Sequence, residues 1–121
     1  MEILASELRI GNWYDHNGKH CQVSPNTILE VWESPRKWVQ PIPLTPEILE
    51  KCGFEWEDIE THTDKTTRGL YKSILMMLPA TSNCWYAAPF GYPLSLHRTL
   101  YLHQLQNLYF ALTGEELEVK L

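Results

Sequence analysis

The side chains with the most direct route to chemistry are histidines and cysteines. His16, His20 and Cys21 stand close together near the start of the chain. Zinc takes four nitrogen or sulfur ligands in a tetrahedron. These three would need a fourth from elsewhere, such as His62 or His103. Their spacing matches no finger or ribbon, and the chain has no C-x-x-C. His16 and His20 also flank Asn17-Gly18, a tight-turn pair that carries both into solvent. A cysteine nucleophile needs a base or a helix N-terminus beside it. Cys52 instead falls where a helix ends and the dipole raises a thiol pKa, and Cys84 has no neighbouring base. Cysteine is among the most buried residue types, so packing accounts for both. Glu55, Glu57, Asp58 and Glu60 form one acidic run, and Glu115, Glu116 and Glu118 another. Paired carboxylates serve acid–base work or cation binding, but no calcium-loop spacing is present and a solvated face explains them. The sequence therefore assigns no catalytic residue, no metal ligand and no cofactor, and a non-enzymatic protein is the preferred reading.

Recognition by aromatic residues is the stronger candidate. Five tryptophans and six tyrosines are many for 121 residues. Trp13, Trp32 and Trp38 fall in a first sheet, and Trp85, Tyr86, Phe90 and Tyr92 gather around a turn. Tryptophan and tyrosine on exposed turns are enriched at protein–protein interfaces. Ordinary packing is the competing explanation, because tryptophan is large and rarely fully buried. If these residues are anchors, they predict an exposed apolar patch.

The elements that position them can be read from spacing. Residues 102–117 carry Leu102, Leu105, Tyr109 and Leu112, with Leu108 widening the stripe, at the 3.6-residue period of an amphipathic helix. His103, Gln104, Gln106 and Asn107 are expected on the opposite face. Gly114 suits the left-handed position that ends such a helix. Residues 8–23 read as strand, turn, strand around Asn17-Gly18, which favours a type I′ turn. Residues 27–32 are β-prone, and a strand starting at Trp38 would complete a small barrel-like meander. Thr45 as N-cap, Pro46 at N1, Glu47 at N2 and Gly53 just past the end define a short helix over residues 46–52. Leu44 can staple to Leu49 at its start, and Phe54 can close on Leu49 at its end. Residues 61–69 read as a loop or hairpin tip, 70–78 as one buried strand and 92–101 as a strand leading into the last helix.

Composition bounds the rest. With 121 residues, 44% hydrophobic and 21% charged, the chain fits one globular domain over 1–121 that needs no disulfide or metal staple. Net charge is −5 and the ten basic residues are scattered, which disfavours counterion-release binding to nucleic acid. The first ten residues lack the pattern of a signal peptide, no window is long enough for a membrane span, and three widely spaced cysteines suit a reducing compartment. A cytoplasmic location is the expectation.

Three segments, LRIGNWYDHNGKHCQV, PIPLTPEILEKCGF and YLHQLQNLYFALTGEEL, together under half of the chain, resemble in that order a family of small uncharacterised proteins encoded by phages and mobile elements of gut Bacteroides-type bacteria. The shared motifs are a hairpin, a doubly capped helix and an amphipathic helix. The resemblance implies a genomic setting, and it carries over no chemistry and no site residue.

The expected fold is α+β: a curved, mostly antiparallel sheet packed against a short central helix and a C-terminal amphipathic helix. The expected function is that of an accessory protein that binds another protein or itself, anchored by Trp13, Trp32, Trp38, Trp85, Tyr86, Phe90 and Tyr92. The alternative is a small nucleic-acid-binding protein using the first sheet with Arg9, Lys19, Arg36 and Lys37.

Overall fold

Asn17 and Gly18 both take positive φ, 51° and 88°, the conformation a type I′ turn requires and these residue types tolerate. They join β1 (Trp13–His16) to β2 (Lys19–Gln22) in an antiparallel hairpin. The Asp15 carboxylate accepts the Gly18 N–H at 2.7 Å and holds the turn. The computed structural model describes residues 5–33, 39–60, 66–72, 75–79, 85–89 and 97–121, and the fold is α+β. It comprises two compact units, Met1–Pro43 with Tyr101–Glu116, and Leu44–Leu100 with Leu117–Leu121.

In the first unit the hairpin continues into α1 (Pro25–Glu33). A strand was expected over 27–32, and a helix is found. Ser24 and Thr27 bond reciprocally: the Thr27 N–H donates to Ser24 Oγ at 3.4 Å, and the Ser24 N–H to Thr27 Oγ1 at 3.2 Å. Pro25 occupies the first helical position, where its missing N–H is no loss. Thr27 and Val31, four residues apart, are the buried pair, so helical spacing overrides the β-propensity of the residues between them. Val31 joins Leu8, Tyr14, Val23 and Val39 in a core cluster. The expected barrel-like meander is thus a two-stranded hairpin with a helix, and Asp15 and Gln40 add a single bridge to it. The expected strand start at Trp38 lies outside the described residues.

The same unit contains α3 (Leu102–Thr113), which packs on β1. The Tyr101 N–H donates to Gln104 Oε1 at 3.2 Å at its start, and Gly114 ends it at φ 74°. Its buried residues are Leu102, His103, Leu105, Gln106 and Tyr109, while Leu108 and Leu112 are half-buried. The expected polar face is therefore partly inside. Gln106 Oε1 accepts the Trp13 N–H at 2.8 Å, and Gln106 Nε2 donates to the Gly11 carbonyl at 3.3 Å. Asn107 Nδ2 donates to the Glu7 carbonyl at 2.7 Å, and its Oδ1 accepts from Asn12 Nδ2 at 3.0 Å and Arg9 Nη1 at 2.9 Å. Most buried polar groups are hydrogen-bonded, and these bonds set the face of α3.

The second unit starts with α2 (Pro46–Lys51). Thr45 Oγ1 accepts the Ile48 N–H at 3.2 Å. At the other end Phe54 N–H donates to the Leu49 carbonyl at 3.1 Å and Gly53 N–H to the Glu50 carbonyl at 3.0 Å, the pair of bonds that defines a Schellman motif. Five antiparallel strands follow in sequence order: β3 (Glu55–Glu60), β4 (Thr66–Lys72), β5 (Leu75–Pro79), β6 (Trp85–Pro89) and β7 (His97–Thr99). The single strand expected over 70–78 is two, because the chain reverses between the paired residues Lys72 and Leu75. A short apolar run does not mark its own turn. Leu70, Leu75, Met77, Trp85 and Ala87 are buried, whereas Met76, Leu78 and Tyr86 are partly or fully exposed. That alternation defines one inward face, with Leu70 opposite Met77 and Met77 opposite Ala87. Residues 61–65, most of the loop expected over 61–69, and residues 92–96 of the expected last strand lie outside the described residues. Both sheets are open. Among the described residues no helix is long and apolar enough to cross a membrane.

Candidate functional sites

The outer face of α1 is the most exposed apolar surface on a helix. Leu29 and Trp32, three residues apart and so on one side, are 60% and 75% exposed. Thr27 and Val31 face the core, which leaves Leu29 and Trp32 no room there. Glu30 and Glu33 are exposed beside them, and α1 carries no basic residue in its last turn. The result is an indole and an isobutyl group edged by carboxylates.

The other sequence-predicted aromatics are dispersed. Trp13 is half-buried in β1. Trp85 is buried, and its indole N–H donates to the Leu44 carbonyl at 3.3 Å, so it is a core residue of the second unit. Tyr86, on the opposite face of β6, is 39% exposed. Trp38, Phe90 and Tyr92 lie outside the described residues.

The histidines separate as well. His16 and His20 are exposed on the hairpin and Cys21 is half-buried. His62 lies outside the described residues, and His103 is buried in α3, its ring stacked on Tyr101 at 6.0 Å between centroids. Among the described residues no group of three or more His, Cys, Asp or Glu is placed to hold a metal ion. Among the described residues neither ring nitrogen of His103 has a hydrogen-bond partner. Burial pushes its pKa down, against a smaller opposing pull from Glu7.

Cys52, the C-cap of α2, is buried, and burial pushes its thiol up to about 12 despite the nearby Lys72 charge. At that value the thiolate that nucleophilic chemistry needs is absent near neutrality. Cys84 lies outside the described residues. Of the basic residues considered for nucleic acid, Arg9 is engaged within its own unit. It pairs with Glu116, bonds Asn107 and lies 4.2 Å above the Phe110 ring. Lys19 is exposed on β2, and Arg36 and Lys37 lie outside the described residues.

A cavity of about 330 Å³ opens at the C-terminal end of α2, within the second unit. Its wall includes Cys52 and Gly53, with three lysines, Lys51, Lys72 and Lys120. Lys72 Nζ donates to the Cys52 carbonyl at 2.7 Å, and the Lys120 N–H donates to the Lys51 carbonyl at 3.0 Å. A Cβ on Gly53 would lie 3.0 Å from Lys72 Nζ. Glu50 and Glu118 complete the lining, with Glu50 Oε1 accepting the Trp56 indole N–H at 2.9 Å. Sequence reading did not find this cavity, because Lys51, Lys72 and Lys120 are scattered along the chain and no local spacing links them. Comparison of the chain with family models, with curated proteins and with solved structures gives no match.

Proposed function

We propose that this protein is a non-enzymatic accessory protein that binds another protein through the outer face of α1. The exposure of Trp32, 75% on a helix whose other side is anchored in a core, carries this reading. The helix presets the backbone beneath the indole, tryptophan has only two χ angles to fix on binding, and it is enriched among hot-spot residues. Leu29 widens the contact. Glu30 and Glu33 favour a partner whose apolar slot is edged by basic groups. The sequence resemblance to proteins of phages and mobile elements suggests a partner encoded by the host or by the element itself.

The double variant Leu29→Ser/Trp32→Ser tests this, since both positions are exposed and their loss is expected to leave the fold intact. The wild-type chain is expected to retain a defined partner from a lysate of the natural host, or to self-associate in sedimentation. The variant is expected to do neither while melting at the same temperature. Identical capture and identical sedimentation of the two proteins overturn the reading.

A further inference from the structure

The cavity at the end of α2 has no part in docking through α1. We propose that it binds the oxyanion group of a free small molecule, a phosphate or a carboxylate. Lys51 from α2, Lys72 from β4 and Lys120 from the C-terminal segment bring three of the chain's ten basic residues to one concavity, in a protein of net charge −5. Three lysines against Glu50 and Glu118 leave the lining one positive charge in excess, which favours an anion.

The neighbouring groups leave this role open. The carbonyls at the end of α2 already have donors. Lys72 Nζ serves Cys52, the Lys120 N–H serves Lys51 and the Gly53 N–H serves Glu50. The ammonium groups of Lys51 and Lys120 are therefore not needed to cap the helix, and among the described residues neither has a hydrogen-bond or ion-pair partner. Glu50 and Glu118 line the same cavity without forming an ion pair with a described residue. Their repulsion grows with the charge of the ligand, so they favour an anion of low charge, and their oxygens accept bonds from its hydroxyl groups. At about 330 Å³ the cavity stands at the lower end of the range of small-molecule sites, roughly 300–1,000 Å³. That suits a hydroxy acid or a short phosphate ester.

Amide ¹H–¹⁵N spectra at low ionic strength, titrated separately with sodium phosphate and sodium lactate, test the proposal. Saturable shifts at Gly53 and Lys72 with either probe are expected, and the responding probe fixes which oxyanion the site prefers. The variant Lys51→Gln/Lys120→Gln, changed at two exposed positions, is expected to weaken that binding by about tenfold, as loss of charge-assisted bonds does. Lys19→Gln, on β2 of the other unit, is expected to leave it unchanged. Three results each overturn the proposal: no saturation with either probe, the same curve from the double lysine variant, or the same shifts from sodium chloride at equal ionic strength. Leu29→Ser/Trp32→Ser does not touch this cavity, so failure here and failure of the docking reading are separable.

Discussion

The two units fix their helices in opposite ways. In the second unit α2 is specified by its own neighbours. Thr45 caps its start, and Gly53 and Phe54 close its end within the next few residues. In the first unit α3 takes its orientation from residues more than ninety positions away: Gln106 meets Trp13 across 93 positions, and Asn107 meets Glu7 across 100. The second unit buries an apolar face of Leu49, Leu70, Leu75 and Met77, each fully inside. The first mixes its apolar cluster with buried Asn12, Gln106 and His103. Shape governs one interior, and hydrogen-bond geometry governs much of the other.

Substitutions at matched positions sharpen this contrast. Leu49→Ala is expected to be the most damaging, by about 2–5 kcal/mol, because it removes a fully buried side chain. Leu49→Met, which roughly keeps the volume, is expected to cost less than about 1.5 kcal/mol. Gln106→Met keeps the length of the side chain but strands the part-buried Trp13 N–H, and leaving that donor unbonded costs up to about 1–3 kcal/mol. Denaturant unfolding of the three variants reads these differences. A Gln106→Met variant as stable as the wild type breaks the contrast, since shape alone would then suffice at both sites.

Two helix-ending glycines form a second, smaller pair. Both have positive φ, 89° at Gly53 and 74° at Gly114. Alanine in the left-handed region costs about 1–2 kcal/mol at either position. At Gly114 nothing lies within 4 Å of the added methyl, whereas at Gly53 it meets Lys72 Nζ at 3.0 Å and crowds the ammonium that bonds the Cys52 carbonyl. Gly53→Ala is therefore expected to be the more destabilising, with the difference read in melting temperatures. Equal losses would show that the lysine yields freely and that the Lys72–Cys52 bond contributes nothing.

This contrast also explains what could be read without a structure. The hairpin at Asn17-Gly18 and both ends of α2 were legible because each depends on residues within a few positions of one another. The capping pair at α1 was present as Ser24 and Thr27, but the branched and aromatic residues after it read as a strand. The buried face of α3 was displaced from the apolar stripe, because Gln106 is drawn in by Trp13 and Gly11, and no periodicity reports partners so distant. The reversal between Lys72 and Leu75 was missed because Lys72-Ser73 interrupts the apolar residues without a Gly, Pro or Asn to mark a turn. For the candidate sites, aromatic composition pointed to docking and α1 offers Trp32, yet Trp85 proved to be core and the lysine cavity left no local signal.

The smallest expected effect at neutral pH comes from His103, and it separates the units by acidity. Burial lowers its pKa in the folded chain below the ordinary 6.5. As pH falls, the unfolded chain takes up the proton first, so the stability present above about pH 6.5 is progressively lost, and the loss stops once the folded-state pKa is passed. Nothing is lost at pH 8. His103→Leu removes a side chain whose ring nitrogens have no partner among the described residues. It is expected to raise stability by about 1 kcal/mol, by relieving a buried unbonded polar group, and to flatten the decline between pH 8 and pH 5. Melting curves of both proteins across that range measure it. A decline just as steep in the variant would place the acid sensitivity elsewhere and leave the hydrogen-bonded residues of α3, not its histidine, as the feature that distinguishes the first unit from the second.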